Sequence, residues 1–423
     1  MTRTTTVRAA AEVALGRQRA PQHDAGPHMV SYLRAANVKD GVLDLTDVKQ
    51  MNFSPAEQQI FSLRPGDVLV TEGSGSLRAV GASAVWRGEI EETICFQNTL
   101  LRMRPRDGIT DGRFLEWWAR SAFGSGLFAS IATGANIYHI SAERVRSLPI
   151  ELPPLEKQRR IADFLDAETA RIDKIAVLQK RVSDRLTERD NALRDGLLDR
   201  LIDAEGEIPL RRLTSGIEQG ASPQCDATPR ESRHEWGVLK LSAVKRGTFD
   251  PGENKKLPDD AVLETTYEVR PGDFLVTRAN TPNLVGDVAV VGRNAERLLL
   301  PDLIYRVRLA NDVNAEFISQ VALGRRLRTL IESVARGSSQ SMVKLRGEDI
   351  KSWPIPRATR TQQDELVKAM HDGTAATTQL KSLVRQQLTL LAERRQALIT
   401  AAVTGQFDVS SASGRNVTEG VSV

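Results

Sequence analysis

The side chains in this sequence best placed to do chemistry are cations and hydrogen-bonding groups, not nucleophiles, paired acids or metal ligands. From Val321 to Arg346 the stretch VALGRRLRTLIESVARGSSQSMVKLR holds Arg325, Arg326, Arg328, Arg336, Lys344 and Arg346 against the single acid Glu332. Cations at this density suit phosphate contacts. The GSSQS loop beside them adds Gln340 and Ser341, which with Lys344 can read base edges. A solvated helix face is the plainer reading of the same charges. The corresponding loop in the first half, GANIYH, offers Asn136, Tyr138 and His139. Arg34, Lys39, Lys240, Lys245, Arg246 and Arg278 complete the candidate DNA contacts, all in the globular parts of the chain.

Motifs for catalysis are missing. The sequence has no GxxxxGK[ST], HExxH or GxSxG, and no Asn/Asp-Pro-Pro-aromatic string of the kind an amino-methyltransferase uses. The PPLE at Pro153 has the prolines without the flanking residues that would hold a target amine. Pro258-Asp259 with Glu264 faintly resembles a nuclease carboxylate pattern, but Thr266 stands where its lysine is expected. The histidines His23, His28, His139, His234 and His371 are scattered without ligand spacing, and Cys95 and Cys225 do not share a repeat position. We therefore assign no catalytic residue, no metal and no cofactor to this chain.

The elements that must position these side chains are organised by a duplication. LTERDNAL, Leu186 to Leu193, returns 205 positions later as LAERRQAL, Leu391 to Leu398. The same shift carries Pro149 onto Pro354, Gln158 onto Gln363 and Leu178 onto Leu383. LRPGDVLVT from Leu63 matches VRPGDFLVT from Val269 at a shift of 206, and LRAANVKDG from Leu33 matches LKLSAVKRG from Leu239. Two copies in tandem are too few for a solenoid.

Each copy closes on a long helix. In the first, Ile161, Leu165, Ile172, Ile175, Leu178, Val182, Leu186 and Leu193 recur by threes, fours and sevens, the stripe of a helix that buries one seam. In the second, Leu383, Leu391 and Leu398 hold matching phase. Thr361 with Asp364 is a capping-box-like start for this second helix and Gly405 its expected stop. The reading is an α+β chain: two tandem α/β globular domains (1–150 and 205–356), each followed by a long helix (151–204 and 357–408). The helices pair as an antiparallel coiled coil with pseudo-two-fold symmetry, and residues 409–423 form a disordered tail.

Composition agrees. Hydrophobic residues at 40% and charged residues at 26% are those of a globular protein, and a net charge of +4 with pI near 9.1 is compatible with nucleic acid without being diagnostic. No apolar run is long enough to span a bilayer and the N-terminus lacks a signal-peptide core, so the chain is read as cytoplasmic, with no membrane partner. Between Glu156 and Arg200 the first helix carries 11 basic and 10 acidic side chains. That balance suits a spacer or a protein-docking face better than a helix lying along DNA.

The string SLPIELPPLEKQRRIADFLD, followed by a long helix and repeated after a second α/β unit, resembles the specificity subunit of type I restriction-modification systems. The resemblance covers nearly the whole chain. The second entry, SWPIPRATRTQQDELVKAM, departs from the usual pattern at Arg357 and Thr359. The resemblance implies that each globular unit is a target-recognition domain reading one half of a bipartite double-stranded DNA site. It implies helices that dock two modification (methyltransferase) subunits carrying S-adenosylmethionine. In the full complex it implies two restriction subunits driven by ATP and Mg. The alternative from another class is a non-enzymatic coiled-coil scaffold bridging protein partners.

Overall fold

A computed structural model describes residues 2–226, 228–339 and 342–409, with the main chain alone for 336–339. Gln340, Ser341, the side chain of Arg336 and the tail from residue 410 lie outside the described residues. The chain divides into two units, Met1–Lys180 with Arg385–Val423, and Arg181–Val384.

In the first unit the strands Ala11–Leu15, Leu100–Pro105, Val68–Thr71 and Ser83–Val85 form, in that order, an antiparallel sheet. Successive residues point to opposite faces, so Val68, Val70, Leu101 and Met103 enter one core while Leu69, Ala84 and Leu100 enter another. This explains the unbroken apolar runs, since both faces are covered. The first core is closed by the helix Gly112–Gly124, whose Phe114, Leu115 and Trp118 are buried. The second is closed by a smaller sheet, Ile94–Phe96 beside Met29–Leu33 beside Lys49–Asn52, with Ile94–Phe96 running parallel to Met29–Leu33. Arg3–Thr6 pairs antiparallel with Pro149–Leu152, pinning the start of the unit to the strand that feeds the long helix.

The second unit repeats this plan. Its antiparallel sheet runs Thr214–Gln219, Ile304–Leu309, Phe274–Thr277, Val288–Val290. Its smaller sheet runs Asn254–Lys256, Gly237–Leu239, Leu298–Leu299, again with one parallel pair. Glu207–Pro209 pairs with Pro354–Pro356 as Arg3–Thr6 does with Pro149–Leu152.

The repeated Arg-Pro-Gly-Asp motif is a structural turn. Gly66 and Gly272 sit at φ of +93° and +91°, which a side chain would resist. Asp67 accepts the backbone N–H of Arg64 at 2.8 Å and both arms of Arg104 at 2.7 Å. Asp273 accepts Arg270 N–H at 2.9 Å and pairs with Arg306 and Arg308, each at 3.2 Å. Arg102 and Arg306 are both 2% exposed, and each also meets an acid of the edge strand, Glu12 at 2.9 Å and Glu218 at 2.6 Å. Buried guanidinium groups tolerate this position because every charge has a partner.

The long helices span Leu155–Glu205 (51 residues) and Arg360–Val403 (44 residues). At 1.5 Å per residue they are about 76 and 66 Å long. The second starts on a capping box two residues earlier than expected. Thr359 Oγ1 accepts the N–H of Gln362 at 3.3 Å, and Gln362 Oε1 accepts that of Thr359 at 2.8 Å. Thr361 and Asp364 therefore do not form the cap.

The two helices pair within each unit. In the first, Ile161, Leu165 and Ile172 lie buried in the same core as Leu398, Ile399 and Ala402. In the second, Asp190 accepts Thr377 Oγ1 and Lys381 Nζ, both at 2.7 Å. Helix positions rising along one partner meet falling positions on the other, as antiparallel pairing requires. Leu186, Leu193 and Leu391 are half-buried, whereas Ile175, Leu178, Val182 and Leu383 are each between 45% and 49% exposed. These four belong to the expected seam and are not buried in it. Two helices alone cover only a narrow strip, and residues on its flanks stay open to water.

Candidate nucleic-acid interface

The globular part of each unit carries a cleft at the same place, where the smaller sheet meets the turn after its parallel strand. In the first unit it is lined by Tyr32, Arg34, Lys49, Gln50, Gln97 and Thr99. In the second it is lined by Val238, Lys240, Leu241, Lys255, Pro301 and Leu303, with Pro223 and Cys225 on its wall. A shift of 206 carries Tyr32, Arg34 and Lys49 onto Val238, Lys240 and Lys255, and the strand register, which pairs Leu100 with Thr71 and Ile304 with Thr277, sets Leu303 at the place of Thr99. Local folding places the cations. Lys49 stands opposite Tyr32 in the strand register, and Arg34 follows the same strand.

An acid beside each cleft faces its cations. Asp47 accepts Arg34 Nη2 and Lys49 Nζ, both at 2.6 Å. These cations hold its carboxyl below the usual carboxylate range, the hydrogen bond from Lys49 foremost. In the second unit Glu253 lies 3.8 Å from Lys240. A cation pair with an intervening carboxylate can bind a phosphate or split its bonds between base-edge acceptors and donors.

The other candidates fall elsewhere. Lys39 and Lys245 are exposed on equivalent two-residue strands, and Lys39 reaches Asp44 at 3.3 Å. Arg246 is exposed in the adjoining turn at φ +47°. Tyr138 and His139 pair antiparallel with Gly73–Ser74; His139 Nδ1 is 3.0 Å from Glu72, and Asn136 is exposed just before them. In the equivalent element of the second unit Met342–Lys344 lies between Ala279–Asn280 and Arg336–Ser339, pairing antiparallel with both, and presents Lys344 to solvent. Arg278 is half-buried at its base, 6.0 Å from the Tyr305 ring. Only Arg34 and Lys240 thus line the clefts. Lys49 and Lys255 were not among the candidates, although the repeat shift that pairs Arg34 with Lys240 pairs them too.

The basic run from Val321 is largely committed within its own unit. Arg325 N–H donates to Asp195 at 2.9 Å, Arg326 pairs with Glu207 at 2.6 Å, and Arg328 donates to Val285 O at 3.0 Å. Gln158 and Gln363 tie each long helix to its domain. Gln158, 1% exposed, accepts Asp111 N–H at 2.8 Å and donates to Ile109 O and Pro153 O at 2.9 and 2.7 Å. Gln363 accepts Asn314 N–H at 2.8 Å and donates to Ala358 O at 3.0 Å. Asp111 and Asn314 in turn cap the helices Gly112–Gly124 and Ala315–Leu323.

The motif that enters the first long helix falls inside a match, over residues 92–182, to the type I restriction modification DNA specificity domain. The type I restriction enzyme EcoKI specificity subunit of Escherichia coli (strain K12) is 25% identical over 89% of this chain and 82% of its own length. The EcoEI specificity subunit of Escherichia coli is 31% identical over 45% of this chain. This chain is similar to type I specificity subunits over most of its length. The match to the EcoEI specificity subunit covers 32% of that relative's length. A solved chain described as "Structural basis underlying complex assembly and conformational transition of the type I R-M system" covers 96% of this chain and 98% of itself. Its TM-score is 0.61 at 16% identity, which is a likeness of fold. Among the described residues no group of three or more His, Cys, Asp or Glu could hold a metal, and no helix is long and apolar enough to cross a membrane.

Proposed function

We propose that this chain is a specificity subunit that reads DNA for partner enzymes and performs no catalysis itself. Each globular domain reads one half of a bipartite duplex site, and the helices space the readers and dock two modification subunits that bring S-adenosylmethionine. Two restriction subunits using ATP and Mg join them in the full complex. The observation that carries this reading is the cleft built twice from one repeat, with Arg34 and Lys49 in one copy and Lys240 and Lys255 at the same repeat positions in the other. Domains that arose by copying and keep a charged cleft at the same place suit two similar ligands, as the halves of a bipartite site are. The apolar residues left open on the helices, Ile175, Leu178, Val182 and Leu383, suit docked protein.

The test is the methylome of cells expressing the chain with its modification subunit. One split motif, lost when the chain is omitted, is the expected result. Methylation at scattered sites, or a motif unchanged without the chain, sinks the proposal. Fluorescence anisotropy adds a second check, because phosphate contacts alone give weak, salt-sensitive binding that partner subunits should convert into specific affinity. Salt-insensitive nanomolar binding by the isolated chain would contradict it.

A further inference from the structure

The two clefts share their place and their cations but differ in what surrounds them. In the first, Arg34, Lys49, Gln50, Gln97 and Thr99 line the cleft with hydrogen-bonding side chains beside the small Ala35 and Ala36, with Arg19 and Asp24 at the edge. In the second, Pro223, Leu241, Pro301 and Leu303 occupy the lining, and Cys225 packs with Val238, Leu257 and Leu299. Thr99 Oγ1 accepts Ala35 N–H at 3.0 Å in the first cleft, where the repeat sets Leu303 in the second. Leu241, Leu303 and Cys225 are half-buried, so their apolar surface is open to a ligand.

A duplex offers one apolar group on its base edges, the 5-methyl of thymine in the major groove. Lys240 and Lys255 at the mouth supply charge complementary to the phosphates that flank it. We infer that the cleft of the second unit reads thymine methyl groups, while that of the first reads bases through hydrogen bonds alone. This rests on the DNA-reading role proposed above. Arg34 with Asp47 can serve a guanine and a cytosine edge, since Arg donates to O6 and N7 and a carboxylate accepts from N4.

The experiment uses the full chain assembled with its modification subunits, on a duplex carrying the motif from the methylome. Each thymine is replaced in turn by uracil, which removes only the methyl. Burying one such carbon is worth about 0.8 kcal/mol, so affinity should fall about fourfold at one or more thymines of one half-site and at none in the other. Leu303→Asn, which keeps the size of the side chain and replaces its methyl groups by an amide, should bring that ratio to about one while leaving the uracil duplex bound as before. A second readout needs no variant. Cys95 is fully buried, so Cys225 is the accessible thiol, and cognate duplex should slow its alkylation by maleimide at least tenfold. Specific binding with Cys225 alkylated at its free rate, or with equal tolerance of uracil in both halves, overturns the inference and leaves DNA reading intact. Absence of any specific binding by the assembled complex overturns the DNA-reading role itself.

Discussion

Removing Asp190 should destabilise the second unit more than any other single ion-pair deletion along the helices. Its carboxylate is 12% exposed and accepts from Lys381, 18% exposed, and from Thr377, which is fully buried. In Asp190→Ala the Lys381 ammonium keeps its burial and loses its counter-charge, whereas Thr377 can turn its single O–H to Thr374 O, 2.8 Å away. Breaking a pair at this depth costs about 3 kcal/mol. For a unit of this size that lowers the melting temperature by roughly 6 to 12 °C. Replacing both partners, Asp190→Leu with Lys381→Met, removes the stranded charge and should return the melt to within about 1 kcal/mol of the parent. The corresponding pair of the first unit, Arg395 with Asp173 at 3.3 Å, has an acid 59% exposed, so Asp173→Ala should cost under about 1 kcal/mol. Urea melts followed at 222 nm on the full chain, arranged as a double-mutant cycle, give the coupling directly. A coupling below about 0.5 kcal/mol, or equal costs for Asp190→Ala and Asp173→Ala, would show that burial does not set the strength of these pairs.

Four residues inserted near Arg189 and four near Arg394 should keep the apolar stripes in phase and lengthen the helices by about 6 Å. The gap in the methylated motif should then grow by one or two base pairs with both half-sites unchanged, and an unchanged gap in an active variant would contradict the spacing role. Gln158→Ala should free the Asp111 amide and cost about 2 kcal/mol, seen as faster hydrogen exchange at the start of helix Gly112–Gly124. Burial raises the carboxyl of Glu116, so the folded chain holds that proton more tightly than the unfolded one. Stability from this group therefore falls as pH climbs above the usual Glu range, and Glu116→Gln should flatten that part of the stability–pH curve. Burial also pushes the Cys95 thiol up to about 12, so it should resist alkylation at pH 8 until the chain is unfolded.

The duplication, the long helices and the Arg-Pro-Gly-Asp turns were legible in the residues because repeats and periodicity are local signals. The paired clefts were harder to see. Lys49 stands 15 residues from Arg34 and 48 from Gln97, and only strand pairing makes them neighbours. The charge excess after Val321 has partners hidden for the same reason. Its neutralising acids, Asp195 and Glu207, lie more than a hundred residues earlier. The stripe through Ile175, Leu178 and Val182 has the right period, but periodicity states which face is apolar and not what covers it.

The glutamine at the root of each long helix touches its domain only through main-chain atoms: Asp111 N, Ile109 O and Pro153 O in one copy, Asn314 N and Ala358 O in the other. An amide that grips backbone is indifferent to the side chains around it. Residues lining the clefts can therefore be rewritten without loosening the joint that aims the domain, and a new DNA word can be acquired by changing letters while the frame that holds the page stays still.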